Sequence, residues 1–449
     1  MTGVLDRAIG VAALLSPVFL LHGRGIAEAC VDVAAIGFLG RSAVAGAWEW
    51  LRIGWVRVAA LWWGWLLLCS LPVGPLGAGG WPAFGQAFAT VRFLVFVAAL
   101  QCVALFGERE RSWMRGLLCA AVLYIAGQMG LQAIIGRNLW GQPRFHDGTL
   151  TGPYGKPRAA APLSRLLLPV VLRAAAGLAK RRRGALLAAL PLLAGAAAMV
   201  LAGQRMPLLL FLLGLLVAGI MLPRLRPVLA GVVVLAPVLV AVSAVLTPAS
   251  FHHLVLLFAR QMEHFRQSSY GLVFARAAAM GWREPWTGLG FDGFRHACAN
   301  PDFFRSWPPW AAGSGSGSSP GLSDGGGAAI CVQHPHNHYL QALTDAGIPG
   351  LMLFCATVWS WLLAAGRGLL RPASGPDMRR RAWRVGLFAA VFIQEWPIAS
   401  TSAFTNMPLG GWFFLILGMA LAEADADMRG PDPAHRPVAA KGTKGVAHV

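Results

Sequence analysis

Residues 184–222 read GALLAALPLLAGAAAMVLA, then GQR, then MPLLLFLLGLLVAGIML. Each apolar run is close to the roughly 20 residues that an α-helix needs to cross a hydrocarbon layer about 30 Å thick. Backbone N–H and C=O groups find no water there, so such a run must pair its polar groups within one helix. The pattern recurs through the first 246 residues and again after residue 338. Over 449 residues, apolar side chains make up 56% and charged ones 13%, too little charge to cover the three soluble domains that the length would otherwise suggest. The fold class is read as an all-α polytopic membrane protein.

Twelve transmembrane helices are predicted, at 8–21, 26–40, 54–71, 83–106, 116–135, 163–179, 184–202, 206–222, 227–246, 339–364, 385–401 and 405–422. The second carries Glu28 and Asp32, and the sixth carries Arg173. The net charge of +19 would raise the question of nucleic acid in a soluble chain. Here the cations gather in short connections, as cytoplasmic loops do. With the amino terminus inside, the inner connections hold Arg41, Arg52, Arg109, Arg111, Arg115, the run Lys180–Arg183, Arg224, Arg226, Arg379, Arg380, Arg381 and Arg384, while the outer turn 72–82 has no charge. The outer segment 136–162 breaks the rule with Arg137, Arg144, Lys156 and Arg158. The first apolar run lacks a convincing cleavage context and is expected to remain as the first span. Both termini are expected in the cytoplasm. Residues 1–246 then form spans one to nine, 247–338 a large outer loop, 339–422 spans ten to twelve, and 423–449, rich in Ala, Asp, Gly and Pro, a disordered cytoplasmic tail.

The loop 247–338 is too long for an idle connection and is predicted to be periplasmic. Its apolar stretches Phe251–Phe258 and Tyr270–Trp282 are expected to be short amphipathic helices on the membrane surface. A Gly/Ser patch, Gly313–Gly327, reads as a mobile excursion. Cys298 and Cys331 flank that patch, and an oxidising compartment would permit a disulfide between them. The other five cysteines fall in spans and read as packing residues.

The densest polar cluster is Gln333-His334-Pro335-His336-Asn337-His338-Tyr339, at the outer mouth of the tenth span. Pro335 suits the start of a helix, whose free N–H groups would favour an anion such as a diphosphate. Three alternate histidines could hold zinc if the segment were extended. A helix starting near His336 would instead turn His336 and His338 about 200° apart, and no acid or thiol is interleaved. The preferred reading is a histidine acting as a base; interfacial polar residues around Tyr339 are the plainer alternative.

Arg205 lies between two spans, where an unpartnered charge is costly and points to a structural or ligand role. Arg260, Arg266, Arg276 and Arg283 sit in or beside the apolar stretches of the loop and could bind diphosphate oxygens or reach toward lipid headgroups. Pro285-Trp286-Thr287-Gly288-Leu289-Gly290-Phe291-Asp292-Gly293-Phe294 reads as a tight structural turn, with Asp292 a candidate acid or arginine partner. It lacks the spacing of a dinucleotide fingerprint.

Taken in order, these residues resemble the O-antigen ligase family, whose fold is shared with the Wzy-type polysaccharide polymerases. His336-Asn337, nine residues, then Gly347-Ile348-Pro349-Gly350 match the family's histidine motif; Gly203-Gln204-Arg205 matches its glycine–arginine feature; Pro285, Gly288, Gly290 and Phe294 match its turn. The resemblance is strongest over residues 200–360. Where the family usually carries an arginine near the start of the loop helix, this chain has Tyr270; Arg266, one turn earlier, is the preferred counterpart and Arg276 lies further along.

The resemblance implies glycan transfer from undecaprenyl diphosphate to a sugar hydroxyl, either of lipid A–core oligosaccharide (a ligase) or of another lipid-linked repeat (a polymerase). His336 would act as base, supported by His334, Asn337 and His338. Arg205 with Arg266 or Arg276 would hold the diphosphate. Inversion at the anomeric carbon, no cofactor and no catalytic metal are implied. Two other classes stay open on the residues alone: a transporter using Glu28, Asp32, Arg173 and Glu395, and a noncatalytic component of an envelope complex.

Overall fold

The structure, a computed structural model, describes residues 2–179, 184–265, 268–303, 331–370, 378–399, 404–407 and 409–429. The chain is an all-α polytopic membrane protein; among the described residues the only β pairing is an isolated bridge between Arg137 and Pro143. The helices in chain order are α1 (Thr2–His22), α2 (Arg24–Ala45), α3 (Gly54–Ser70), α4 (Gly80–Ala104), α5 (Glu108–Ile135), α6 (Ala160–Leu178), α7 (Gly184–Leu201), α8 (Arg205–Met221), α9 (Arg226–Leu246), α10 (Leu257–Glu263), α11 (Ser269–Arg283), α12 (Gly293–Ala297), α13 (His338–Ala365), α14 (Met378–Gln394) and α15 (Leu409–Arg429).

Each of the twelve expected spans falls on one of these helices. Eight of the described helices have both the length and the apolar character to cross a bilayer. The other four are α2, which carries Arg24, Glu28, Asp32 and Arg41, and α3, α8 and α14, which are 17 residues each. The apolar stretches of the long loop are helical as well, as α10 with its lead-in turns and as α11.

Two expected boundaries move. Span eleven was placed at 385–401; α14 instead runs Met378–Gln394, so Arg379–Arg384 belong to its first turns and Glu395–Ala399 are left as coil. The tail was expected to begin at 423; α15 continues to Arg429, because its acidic residues find cations. Glu423 lies 2.7 Å from Arg115 and 3.8 Å from Arg111, and Asp427 lies 2.5 Å from Arg384. A buried carboxylate such as Glu423 requires a partner of this kind. The Gly/Ser patch and residues 430–449 lie outside the described residues.

The core is aromatic near the middle of the bundle. Trp361, Trp383 and Trp412 are fully buried, and Phe404 meets Phe354, Trp361, Phe413 and Phe414 at ring separations of 5.1–6.2 Å. Helix ends sort into two sets. One end gathers the starts of α5 and α14 and the end of α15 around the ion pairs just named. The opposite end gathers the α3–α4 turn, the segment before α6, the α7–α8 turn, the long loop and the coil after α14. These parts are tied together by hydrogen bonds from Ala78 to Leu289, Gln204 to Pro157 and Asn337 to Pro397.

Candidate functional site

The second end is organised by the start of α13. Asn337 is its N-cap: the side-chain oxygen accepts from the Tyr339 and Leu340 amides, both at 3.0 Å, satisfying two of the N–H groups that a helix start leaves open. Its amide nitrogen donates to the carbonyls of Pro397 at 2.8 Å and Ala399 at 3.3 Å. One side chain thus both starts the helix and anchors it to the coil after α14.

His336, immediately before the cap, has φ 53°. The left-handed region is uncommon for a residue with a Cβ, and such strain persists only where the surroundings hold it. The half-buried imidazole lies 4.6 Å from the His334 ring and 5.4 Å from the Tyr270 ring. His338, on the first turn of α13, faces inward and is buried, with Nδ1 3.0 Å from Glu395 Oε2. The three histidines therefore do not converge on one point. Among the described residues no group of three His, Cys, Asp or Glu is arranged to hold a metal ion.

Arg205 is the first residue of α8. Its Nη1 donates to Gln261 Oε1 at 2.6 Å and its guanidinium lies 5.6 Å from the Phe258 ring centre, within cation–π range. It is half-buried and within electrostatic reach of Tyr270. Tyr270 thus stands in ring contact with His336 and within electrostatic reach of Arg205. Two residues that were not singled out for a role, Tyr270 and Gln261, complete this corner. The usable signal for Tyr270 was its rarity, as one of four tyrosines in the chain, at the start of α11.

The other loop arginines differ. Arg276 is 3% exposed, and its Nη1 lies 3.2 Å from Cys298 Sγ and 3.1 Å from Cys331 Sγ, two cysteines joined as a disulfide. Both cysteines belong to a small core with Val273, Ala277, Met280 and Phe294 beneath the loop, and burial pulls the pKa of Arg276 down from the usual arginine value. Arg266 lies outside the described residues.

The two glycine motifs prove to be partners. α13 breaks at Ala346 and Gly347, with φ/ψ of −142°/15° and 66°/−167°, which frees carbonyls that an unbroken helix would use. In an apolar bundle each must find another donor. Leu289 N–H donates to Thr344 O at 2.8 Å, Gly290 N–H to Asp345 O at 3.0 Å, and Trp65 Nε1 to Ala346 O at 2.9 Å. A side chain at Gly288 would put its Cβ 2.6 Å from the Ala346 nitrogen. The turn can approach this closely only because glycine stands there.

Asp292 caps α12 at φ 56°. Its carboxylate is 3.9 Å from Arg295 Nη1, and burial pushes its pKa above the ordinary carboxylate value. The acidic residues that suggested transport have local partners: Glu28 pairs with Arg24 at 3.0 Å, Asp32 with Arg92 at 3.3 Å, and Glu395 lies 3.0 Å from His338 Nδ1.

No curated protein matches the chain. A family model described as O-antigen ligase matches residues 187–355, a little over a third of the sequence. From early in α7 to the middle of α13, and so across Arg205, the loop helices and the histidine motif, the chain carries an O-antigen ligase domain.

Proposed function

We propose that the chain is a glycosyltransferase of the bacterial inner membrane. It moves a glycan from undecaprenyl diphosphate to a sugar hydroxyl of lipid A–core oligosaccharide, with both termini cytoplasmic and the His336 end periplasmic. The observation that carries this reading is that His336, in ring contact with Tyr270, and Arg205, within electrostatic reach of the same tyrosine, both lie inside the segment that the O-antigen ligase family matches.

In this reading the acceptor hydroxyl oxygen attacks the anomeric carbon, forming the glycosidic bond as the bond to the diphosphate oxygen breaks. The hydroxyl proton passes to the His336 imidazole, a side chain that in its neutral form accepts a proton on a ring nitrogen. Charge develops on the departing diphosphate, where Arg205 can form paired charge-assisted hydrogen bonds. In-line attack inverts the anomeric centre. His334 and Tyr270 hold the His336 ring; Asn337 and the His338–Glu395 contact hold the backbone that presents it. Arg276, packed under the disulfide, fits a structural part better than a diphosphate contact, so Arg205, at the start of α8, takes the donor diphosphate in this reading, with the exposed Arg260 and Arg283 of the loop helices as further candidates. The pairing of Glu28 and Asp32 with neighbouring arginines, and of Glu395 with His338, weighs against an ion pathway.

The test is reconstitution of the purified protein with undecaprenyl-diphosphate-linked glycan and, separately, lipid A–core or a second lipid-linked repeat, read by product mass. The ligase reading expects transfer to lipid A–core that is insensitive to chelator. His336→Ala should lose at least about a hundredfold, the usual worth of a general base, and Arg205→Ala a comparable amount. Chain growth on the lipid-linked repeat alone would move the assignment to a polymerase. Absence of any product from folded protein with natural substrates would overturn both.

A further inference from the structure

A second cavity, of about 450 Å³, opens at the same end of the bundle where the α1–α2 turn faces the segment before α6. Its size falls in the range of small-molecule sites, about 300–1,000 Å³. Leu20 and Leu21 supply an apolar wall, Tyr154 an aromatic one, and Arg24, Lys156 and Arg158 contribute three cations. Among the described residues no carboxylate lines it. Arg24 shares Glu28 at 3.0 Å, whereas Lys156 and Arg158 form no ion pair among the described residues. Both belong to the outer segment that breaks the inward bias of positive charge. Arg144 of that segment has an internal use, capping the Ala133 carbonyl at 2.6 Å; Lys156 and Arg158 do not share it.

The cavity walls are held in advance. Trp140 Nε1 donates to Tyr124 Oη at 2.9 Å, and His22 Nε2 lies 2.5 Å from the same oxygen. The Asn138 side chain donates to Gly152 O at 2.8 Å, and Gln204, next to Arg205, donates to Pro157 O at 2.6 Å. The last bond makes residues 156–158 the shared boundary between this cavity and the Arg205 corner. Val18 and Ile26, on the same two helices, are exposed and apolar, so the cavity adjoins a surface suited to hydrocarbon. Cations beside an apolar wall at a membrane boundary fit a ligand with an anionic head and an apolar body.

We propose that this cavity binds the phosphate-bearing headgroup of a lipid, with Lys156 and Arg158 on the phosphate and the acyl region along α1 and α2. Resting on the transfer reading above, the lipid is the acceptor, held beside the donor site across residues 156–158.

The test measures binding apart from turnover. Full-length protein in zwitterionic lipid nanodiscs is titrated with diphosphorylated lipid A, with its dephosphorylated counterpart and with inorganic phosphate. Variants are Lys156→Gln/Arg158→Gln together, the charge reversal Lys156→Glu, and Arg52→Gln. Loss of about tenfold in affinity is expected per cation removed, the worth of one charge-assisted hydrogen bond. The double variant should therefore weaken diphosphorylated lipid A about a hundredfold, with Arg52→Gln, an exposed cation of an inner connection, unchanged and the dephosphorylated lipid bound no better than by the double variant. Both substituted residues are exposed, so folding should survive, which thermal melting checks. Unchanged affinity in the double variant and the charge reversal, or equal affinity for the dephosphorylated lipid, overturns the site. Inorganic phosphate binding as tightly as the lipid overturns the lipid assignment in favour of a free anion. Binding that depends on Lys156 and Arg158, without glycan transfer by wild-type protein, keeps the site and removes the transfer reading. Transfer to lipid A–core at wild-type KM in the double variant removes the acceptor role.

Discussion

The amide of Ile348 donates to the carbonyl of Pro285 at 2.7 Å, so the break in α13 and the turn after α11 form a single structure. Each supplies the hydrogen-bond partners that the other lacks. The helix presenting the histidine motif therefore has its direction set by a segment some 50 residues earlier in the chain.

Gly347→Ala should be costly for that reason. Gly347 has φ 66°, and a Cβ there would stand 2.6 Å from Pro285 O. A strained left-handed residue costs about 1–3 kcal/mol, and the collision adds to it. Thermal melting in detergent should show a clear loss. Gly127→Ala, where an added Cβ meets nothing within 4 Å, should show none. Equal melting of the two variants would remove the claim that the two motifs lock together.

Asn337→Ala removes the helix cap and both bonds to the coil after α14. The cap alone is worth about 1 kcal/mol. Asn337→Asp keeps the acceptor for Tyr339 and Leu340 but loses the donor to Pro397 and Ala399. It should melt between wild type and the alanine variant. If the aspartate variant melts with wild type, the anchoring role of Pro397 and Ala399 is wrong.

Breaking the disulfide between Cys298 and Cys331, which are 33 residues apart, should destabilise the loop by about 2–4 kcal/mol. Cys298→Ser/Cys331→Ser should also expose the loop to limited proteolysis before the membrane helices melt, because Arg276 loses the surface against which it packs. Digestion of the double variant at the wild-type rate would contradict this.

The raised pKa of Asp292 gives a pH dependence with a defined sign. A carboxyl whose folded pKa lies above its ordinary 3.8 disfavours the fold once it ionises. That cost grows as pH rises from 3.8 through the folded value and vanishes below 3.8. Asp292→Asn keeps a residue that tolerates φ 56° and removes the charge. It should melt above wild type at neutral pH, with the gap closing toward pH 4. A lower melting point at neutral pH would mean that the Arg295 contact outweighs the burial.

Much of the histidine region was legible because its signals are local. Pro335 and Asn337 mark a helix start, and helical geometry separates His336 from His338. Helical spacing could not show that the inward face would meet Glu395, which had drawn attention only as an intramembrane charge. Arg276 and Arg205 are equally basic in sequence. Only packing distinguishes an arginine under a disulfide from one at a helix start beside Gln261 and Tyr270. Glu423 looked like the beginning of a polar tail because its partners, Arg111 and Arg115, are some 300 residues away.

The sequence by itself determined that this chain is a bundle of membrane helices, since hydrocarbon tolerates only backbones that satisfy themselves locally and the apolar runs have the length to do so. It also determined where the polar chemistry concentrates. Tertiary structure decided which polar groups face one another. The pairing of Thr344 and Asp345 carbonyls with Leu289 and Gly290, the capture of His338 by Glu395, and the ring contact of His336 with Tyr270 join distant segments. Periodicity reports how a segment bonds to itself and carries no record of the donor that another segment will bring.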